Sequence, residues 1–185
     1  MKLCRYQYDD EGRRKWQDPE AILVDIGLKP GETFIDVGCG EGFFAIPAAR
    51  LVGKSGKVYG LDTDEESIKI LRENAKKEKL ENLKSKVGAA EDTILCERCA
   101  DIVFFGLDFH DFNDPEKVLM NAKKMLKPKG KLVDLDWKKE SMNKEPLLQT
   151  RFSKKEAIRR IESAGFKIES VKDVGPCLYL IIAKL

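Results

Sequence analysis

Residues Thr33 to Ala49 read TFIDVGCGEGFFAIPAA, and this stretch decides the fold. It opens with an apolar run, Thr33 to Val37, and passes through three glycines at alternate positions into a second apolar run. The first run is short, β-branched and bounded by glycine, which predicts a buried strand, and Phe43 to Leu51 predicts a helix that ends at Gly53. The sequence therefore predicts a parallel strand that turns tightly into a helix.

The three glycines, Gly38, Gly40 and Gly42, indicate a ligand site. Glycine adopts backbone conformations that other residues avoid, and its missing side chain lets a ligand lie against the main chain. The N-terminus of the following helix adds unpaired N–H groups. Because a turn that binds nothing needs one glycine rather than three, we expect this turn to hold a flat, polar, nucleoside-like ligand.

The spacing of the glycines separates two classes of nucleoside ligand. A dinucleotide fingerprint, G-x-G-x-x-G, would place its third glycine at the position of Phe43. Here the third glycine is Gly42, and Asp36 lies two residues before the first. The pattern D-x-G-x-G-x-G resembles motif I of class I S-adenosylmethionine (SAM) dependent methyltransferases. The resemblance extends from about Asp18 to Leu185, and it is strongest with the small quinone-biosynthesis C-methyltransferases.

The rest of the chain predicts an α/β fold. Apolar runs at 57–62, 83–87, 101–106 and 131–137 alternate with helical patterns, and the tract Lys127 to Gly130 is expected to end the helix before the last of them. Two final runs, 166–174 and 177–183, are joined by so short a turn that they must be antiparallel neighbours. We expect a three-layer αβα sandwich of the Rossmann-like class I methyltransferase type. Its sheet would be doubly wound, mostly parallel and seven-stranded, with the last strand antiparallel.

The length of the chain predicts a single methyltransferase domain over residues 1–185. Residues 1–17 show no helical or strand period and are either a frayed terminus or a lid over the site. The aromatic residues among them favour the lid, since disordered segments are poor in aromatics. Residues 138–152 form the longest irregular connection, and we expect it to lie near the site.

The charge of the chain is balanced, with 34 Lys and Arg against 32 Asp and Glu and a net charge of +2. This balance indicates neither nucleic acid nor a membrane surface as a partner. No apolar run approaches the ~20 residues of a membrane span, and the N-terminus shows no apolar signal segment. We expect a cytoplasmic protein with a small-molecule acceptor, while RNA and protein acceptors stay open.

The five cysteines are odd in number and scattered, which argues against a disulfide framework. Cys96-x-x-Cys99 has the spacing of a metal or redox pair. It lacks the second pair or nearby histidine that a zinc site requires. We therefore expect no metal site and no special role for this pair.

Asp62 is predicted to bind the ribose of the ligand. It ends the second strand about 20 residues after the glycines, and ligands of doubly wound sheets bind at the carboxyl ends of the strands. The alternative role of helix cap is assigned to the capping box Thr63-x-x-Glu66, with Asp64 as a weaker ribose candidate. The resemblance implies that Ala90 and Glu91 contact the adenine. The full predicted cofactor set is Asp36, Val37, Gly38, Cys39, Gly40, Gly42, Phe43, Asp62, Thr63, Ala90, Glu91, Gly106 and Leu107.

The end of the fourth strand, Gly106 to Asp111, is expected to face both the methyl donor and the acceptor. His110 is the only histidine in the chain, and its ordinary pKa suits proton transfer near neutrality. A lone histidine is also often structural, so both roles stay open. Asp108 and Asp111 are candidates for orienting an acceptor. The Asn/Asp-Pro-Pro-Tyr/Phe motif of amine methyltransferases is absent here, which disfavours adenine N6 and glutamine amide acceptors.

The resemblance implies transfer of a methyl group from SAM, with S-adenosylhomocysteine as product, to an acceptor that the sequence does not name. Because the donor is already activated, the protein must chiefly position the acceptor and exclude water. A general base is needed only where the acceptor loses a proton. Two other classes stay open: a nicotinamide-dependent oxidoreductase that uses the same Asp62, and a SAM-binding or scaffold protein without turnover.

Overall fold

A seven-stranded sheet forms the centre of the computed structural model, which describes residues 10–14, 16–139 and 151–185. The strands are β1 (Thr33–Val37), β2 (Lys57–Asp62), β3 (Leu83–Val87), β4 (Ala100–Gly106), β5 (Leu126–Trp137), β6 (Lys167–Val174) and β7 (Leu178–Lys184). Their order is β3-β2-β1-β4-β5-β7-β6. Pairing is parallel from β3 to β5, and β7 is antiparallel to both β5 and β6. The predicted fold class is confirmed.

Helices cover the sheet on both faces. They are α1 (Asp10–Arg14), α2 (Pro19–Asp25), α3 (Ala45–Val52), α4 (Glu65–Lys77), α5 (Pro115–Met125) and α6 (Lys154–Ser163), with a 3₁₀ turn at Phe109–Asp111. The N-caps of α2, α5 and α6 are Asp18, Asp114 and Ser153, and each accepts a hydrogen bond from the backbone N–H three residues on, at 2.9 to 3.1 Å. These bonds satisfy donors that the first turn of a helix leaves unpaired.

The cap of α4 differs from the prediction. Asp64, rather than Thr63, is the N-cap, and its carboxylate accepts the backbone N–H groups of Glu66 and Ser67, both at 3.3 Å. Asp62 in turn accepts the N–H of Asp64 at 2.9 Å. Aspartate is a stronger cap than threonine, so the helix begins one residue later and the predicted capping box is wrong.

The junction between α5 and β5 also differs from the expected turn. The strand begins at Leu126, directly after the helix, and the pairing jumps from Ala100 with Leu126 to Ile102 with Lys131. The extra residues of β5 are taken up as a bulge. Gly130 lies in it so close to β4 that a Cβ atom there would come within 2.7 Å of the Ala100 carbonyl oxygen.

The central strands β1 and β4 are buried on both faces, which explains their nearly continuous apolar sequence. Successive side chains alternate between two clusters. Phe34 and Phe104 pack towards α3 and α4, while Ile35 and Phe105 pack towards α5 and α6. The carboxyl ends of β1, β2 and β4 are thereby fixed at one edge of the sheet, where the predicted site residues lie.

Cys96 and Cys99 form a disulfide in the turn that precedes β4, with Cα atoms 6.0 Å apart. The expectation of no special role for this pair is wrong, because the turn brings the two Cα atoms within the range that a disulfide requires. Within the described ranges, no three His, Cys, Asp or Glu side chains are grouped to hold a metal ion. Among the same residues, no helix combines the length and apolarity needed to cross a membrane.

Candidate functional site

The glycine turn after β1 folds back onto β2. The backbone N–H groups of Gly38 and Cys39 both donate to the Leu61 carbonyl oxygen, at 2.8 and 3.1 Å. Gly38, Gly40 and Gly42 have φ angles of +79°, +49° and +99°. All three lie in the left-handed region, which L-residues with a Cβ atom adopt only under strain. The sequence prediction of a glycine-dependent turn is confirmed by this geometry.

A Cβ atom would meet different surroundings at each of the three glycines. A Cβ atom on Gly42 would come within 2.4 Å of Leu71 Cδ1, so this glycine allows α3 to pack on α4. A Cβ atom on Gly38 would come within 2.5 Å of Asp108 Cγ. At Gly40 no described atom lies within 4 Å of that position. The space beside Gly40 is therefore open at the point where a ligand would lie against the main chain.

Asp62 ties the glycine turn to the end of β2. Its Oδ2 atom accepts the Gly40 N–H at 2.7 Å, and its Oδ1 atom accepts the Asp64 N–H at 2.9 Å. A carboxylate has about four acceptor sites, so these two bonds leave lone pairs for further donors. The Asp62 carboxylate, which the sequence predicts to bind ribose, is thus held in a fixed orientation by two backbone N–H groups.

A cavity of about 190 Å³ opens at this edge of the sheet. The predicted site residues that line it are Val37, Gly38, Asp62, Thr63, Ala90, Glu91, Asp108 and Asp111. Leu61, Gly88, Phe112 and Asn113 line it as well, and the sequence did not single them out. The structure therefore brings together residues from four separate strand ends around one cavity.

The loop after β3 is fixed by Asn121 of α5. The buried Asn121 amide donates to the carbonyl oxygens of Ala90 and Glu91, at 3.0 and 2.8 Å. The Glu91 carboxylate accepts the backbone N–H of Asn113 at 3.0 Å. Asn121 was not predicted from the sequence, although a polar residue on the apolar stripe of a predicted helix was a usable signal.

Seven predicted cofactor residues lie outside the cavity wall: Asp36 and Gly40, which are described separately, and five that support the turns. Cys39 and Phe43 are buried beneath the glycine turn, and Leu107 is buried with a φ angle of +77°. Gly106 serves packing, because a Cβ atom there would come within 2.7 Å of a Phe104 ring carbon. Gly42 packs against Leu71, as described above. These five residues support the backbone of the glycine turn and of the turn after β4.

Asp36, which is buried, and Asp108, which is half-buried, form an acidic pair beside Gly38. Asp36 is 1% exposed, and its Oδ2 atom has no hydrogen-bond partner among the described residues. Burial raises the pKa of Asp36 to about 7, with Arg13 lowering and Asp62 raising it. Burial, and next the charge of Asp36, raise the pKa of Asp108 well above its ordinary value. Both pKa values rise because the ionised carboxylates are removed from water and their negative charges are not fully neutralised by nearby cations. A cationic ligand group would therefore stabilise their charged forms.

The N-terminal segment lies against the glycine turn. The Arg13 guanidinium carbon is 3.9 Å from the centroid of the Phe43 ring, and Arg13 Nε donates to Gln17 Oε1 at 2.6 Å. The Trp16 and Trp137 rings are 5.4 Å apart. Residues 1–9 and 15 of the predicted lid lie outside the described residues. Arg13 was not predicted to lie at the site, because the sequence around it has no periodicity.

His110 is buried in a hydrogen-bonded pair with Asp136 of β5. His110 Nδ1 lies 2.8 and 2.9 Å from the two Asp136 carboxylate oxygens. An ionised carboxylate only accepts, so Nδ1 carries the proton and Nε2 of the neutral ring keeps its lone pair. Nε2 lies 3.3 Å from Asp111 Oδ1 without a hydrogen bond. Burial lowers the pKa of His110, but Asp136 and Asp111 outweigh it and the net shift is upward.

Arg151 joins this pair from the segment before α6. It is 3% exposed, its Nη1 atom donates to the Lys138 carbonyl oxygen at 3.2 Å, and its Cζ atom lies 5.2 Å from the Trp137 ring centroid. Burial lowers its pKa and Asp136 opposes that shift. Arg151 belongs to the predicted irregular connection 138–152, of which residues 140–150 lie outside the described residues. Neither Arg151 nor Asp136 was predicted from the sequence as a site residue.

Comparison with known proteins gives a consistent family. A family model described as a methyltransferase domain matches residues 28–172. The crystal structure of a SAM dependent methyltransferase from Aquifex aeolicus is 31% identical in sequence, with a TM-score of 0.88. That match covers 96% of this chain and 98% of the other.

Two curated relatives are similar over part of their length. A probable cobalt-precorrin-6B C(15)-methyltransferase (decarboxylating) from Saccharolobus solfataricus is 44% identical over 73 residues, which are 39% of this chain and 37% of that protein. A demethylmenaquinone methyltransferase from a Geobacillus species is 30% identical over 122 residues, which are 66% of this chain and 51% of that protein. The chain thus matches about half or less of the length of these relatives.

Proposed function

The chain belongs to the SAM-dependent methyltransferases, and from this membership we propose that it transfers the methyl group of SAM to a small-molecule acceptor. The product left at the site would be S-adenosylhomocysteine. The observation that carries the proposal is the Asp62 carboxylate, held by the Gly40 N–H at 2.7 Å beside open space at the end of β2. A nucleoside bound there could donate its ribose hydroxyls to the Asp62 carboxylate and lie against the main chain of Gly40.

The residues at this edge of the sheet fit the chemistry of SAM. SAM would supply a methyl group activated on a sulfonium sulfur, and it carries an ammonium and a carboxylate group. The unpartnered Oδ2 atom of Asp36 and the neighbouring Asp108 are suited to receive the ammonium group. Arg13, whose charge already acts on Asp36, is suited to receive the carboxylate group.

The other cofactor residues divide into contacts and supports. Asp62 would accept the ribose hydroxyls through its remaining lone pairs, and Thr63 and Val37 would line the same wall. Ala90 and Glu91, fixed by Asn121, would border the adenine. The supports are Cys39, Gly42, Phe43, Gly106 and Leu107, which hold the backbone of the two turns.

For the acceptor side, we assign His110 the role of general base. Asp136 fixes the ring so that Nε2 has a lone pair, and Asp111 lies where it would stabilise the imidazolium after proton uptake. Asp108 was expected to orient the acceptor, but its place against Gly38 favours a role towards the cofactor. These assignments concern only acceptors that lose a proton.

Correct positioning of the two reactants and exclusion of water from the site would account for the rest of the rate acceleration. Holding two reactants in the right geometry contributes roughly 7 to 11 kcal/mol in favourable cases. Arg13 lies over Phe43, directly after the glycine turn, and Trp16 packs against Trp137, which supports a lid over the site. RNA and protein acceptors are the alternatives, and a cytoplasmic location stays part of the proposal.

The first test is calorimetric titration with SAM, S-adenosylhomocysteine and NADH. The proposal requires micromolar or tighter binding of the two sulfur compounds. It also requires no binding of NADH, because the turn lacks the third-glycine spacing of a dinucleotide site. Methyl transfer from radiolabelled SAM to a panel of small hydroxyl, amine and carbon acceptors then distinguishes an enzyme from a binding protein without turnover.

A further inference from the structure

Arg151 and His110 are two buried side chains whose hydrogen-bonding capacity the described residues leave partly unused. The Nε atom of Arg151 and the Nε2 atom of His110 are both buried without a described hydrogen-bond partner. The Arg151 Cζ atom lies 5.2 Å from the ring centroid of Trp137, the residue that follows Asp136. The Asp136 carboxylate in turn holds His110, and the charge of Arg151 acts to lower the pKa of His110. An unmet buried donor beside an unmet buried acceptor is costly for the free protein, which points to a ligand that meets both.

The neighbouring Asp136 carboxylate does not accept a hydrogen bond from the Arg151 guanidinium. Asp136 accepts His110 Nδ1 with both oxygens, together with the backbone N–H of Trp137 at 2.7 Å and that of His110 at 3.3 Å. Those contacts use its acceptor sites. Among the described residues, no carboxylate oxygen lies within 4 Å of the Arg151 guanidinium, the limit for an ion pair. The buried Arg151 guanidinium donates to the Lys138 carbonyl oxygen but lacks, among the described residues, the carboxylate partner that such groups normally bind.

One aromatic ring contacts Arg151, and a cluster of aromatic rings includes Phe109, the residue before His110. Trp137 lies beneath the Arg151 guanidinium and beside the Trp16 ring. Phe109, next to His110, packs with Phe112 and Phe152 at ring-centroid distances of 6.5 and 5.3 Å. Phe112 also lines the cavity that holds Asp62. Walls of this kind favour a flat, largely apolar acceptor with a polar group at one end.

We propose that Arg151 binds the oxygen of a weakly acidic hydroxyl group on a planar acceptor, a phenol or an enol, and holds it beside His110. The inference rests on the proposed methyltransferase function and names the substrate class of that site. The acceptor's O–H bond breaks, the proton goes to His110 Nε2, and the electron pair stays on the acceptor. That pair forms the new bond to the methyl carbon, while the pair of the old bond stays with sulfur.

The paired base and guanidinium select this class of acceptor. A carboxylic acid is already ionised near neutrality and would give His110 nothing to accept. An amine has no negative charge for Arg151 to stabilise after its proton leaves. A phenol or enol needs both groups, since a base removes its proton and a cation stabilises the resulting oxyanion.

The test uses 4-nitrophenol, whose ionised form absorbs visible light, so one titration reports its binding and its ionisation. The wild-type protein, saturated with S-adenosylhomocysteine, should bind the probe saturably and shift the bound probe towards its ionised form. Arg151→Gln should weaken binding at least about tenfold and abolish the shift. Arg151→Lys keeps the charge but loses the planar fork, so it should bind with intermediate affinity. Arg159→Gln, an exposed arginine of α6, is the matched control and should behave as wild type.

The inference is overturned if wild-type protein shows no saturable binding of 4-nitrophenol. It is equally overturned if folded Arg151→Gln or Arg151→Lys binds and ionises the probe as wild type does. Calorimetry with S-adenosylhomocysteine on the same samples separates this from failure of the proposed function. Normal cofactor binding with an Arg151-independent probe contradicts only the acceptor class, whereas no cofactor binding in the wild type contradicts the proposed function.

Discussion

The carboxyl group of Asp108 lies directly against the backbone of Gly38, where a Cβ atom would come within 2.5 Å of Asp108 Cγ. Gly38 also has a φ angle of +79°, so a side chain is excluded by conformation and by contact. This contact joins the glycine turn after β1 to the loop after β4. The position of the proposed acceptor loop therefore depends on a glycine of the proposed cofactor motif.

Gly38→Ala should lower both stability and cofactor affinity. The left-handed backbone alone costs about 1–2 kcal/mol, and the displaced Asp108 carboxyl adds to it. S-adenosylhomocysteine should bind at least about tenfold more weakly. Denaturant unfolding and calorimetry measure the two effects.

Gly175→Ala is the matched control for Gly38→Ala. Gly175 has a φ angle of +58°, but no described atom lies within 4 Å of its added Cβ atom. It should therefore lose stability from backbone strain alone and keep full cofactor affinity. Equal losses in the two variants would contradict a structural role for the Asp108 contact.

The buried Asp36 carboxyl predicts how stability depends on pH. Its pKa is about 7 in the folded protein against an ordinary value of 3.8. Between these values the folded state keeps a proton that the unfolded state has lost, so the stability of the ligand-free protein falls as pH rises through this window. Asp36→Asn should remove that part of the dependence, at most about 4 kcal/mol, and be the more stable protein at pH 8.

Urea unfolding of both proteins from pH 5 to pH 8 measures this difference. Asp134, a buried acid with a raised pKa, is present in both proteins and largely cancels in the comparison. The pKa of Asp108 is raised in part by the charge of Asp36, so Asp36→Asn should lower it as well and reduce the pH dependence further. A difference in stability that does not change with pH would contradict the assignment.

Ligand binding should release a proton near pH 6. In the free protein Asp36 is mostly protonated at that pH, and an ammonium group beside it would favour the ionised form. Titration of S-adenosylhomocysteine in two buffers of different ionisation enthalpy measures the protons released. The release should decline towards pH 8 and be reduced in Asp36→Asn. Identical heats in both buffers at pH 6 would argue against an ammonium site at Asp36.

His110 is the only histidine, so its imidazole signals can be followed directly by NMR. Its pKa should lie above the ordinary value of 6.5, and the proton of the neutral ring should reside on Nδ1. Because the folded state raises this pKa, the contribution to stability is present below pH 6.5 and is lost as pH rises through the folded value.

Asp136→Asn should lower the pKa of His110, because it removes the hydrogen bond and the charge that raise it. Asp111→Asn is the comparison, and it should lower the pKa less because Asp111 is largely exposed and makes no hydrogen bond to the ring. A His110 pKa that is unchanged in folded Asp136→Asn would contradict the pair.

The parts of the site that the sequence predicted are those encoded by local pattern. The glycine turn and Asp62 follow from residue spacing within one strand, turn and helix, and the structure places them as expected. The helix start at Glu65 was misplaced because Thr63 and Asp64 both fit a cap, and the bond between Asp62 and the Asp64 N–H favours the second.

The missed residues depend on contacts between distant segments. Asp136 looked like one of two alternating acids on a strand, and its role appears only when His110 folds onto it from the loop after β4. Arg13 and Arg151 come from segments without periodicity, so no pattern located them over Phe43 and Trp137. Their positions depend on tertiary contacts, which no local sequence pattern encodes.

The most direct test of the central claim is calorimetric titration of S-adenosylhomocysteine into wild type, Asp62→Ala and Asp25→Ala. Asp25 is an exposed aspartate of α2 and serves as the control. The account predicts micromolar or tighter binding to wild type and Asp25→Ala, and binding at least about 100-fold weaker to Asp62→Ala, since the ribose acceptor is lost. Near-normal affinity in folded Asp62→Ala, or no binding to the wild type, would contradict the account.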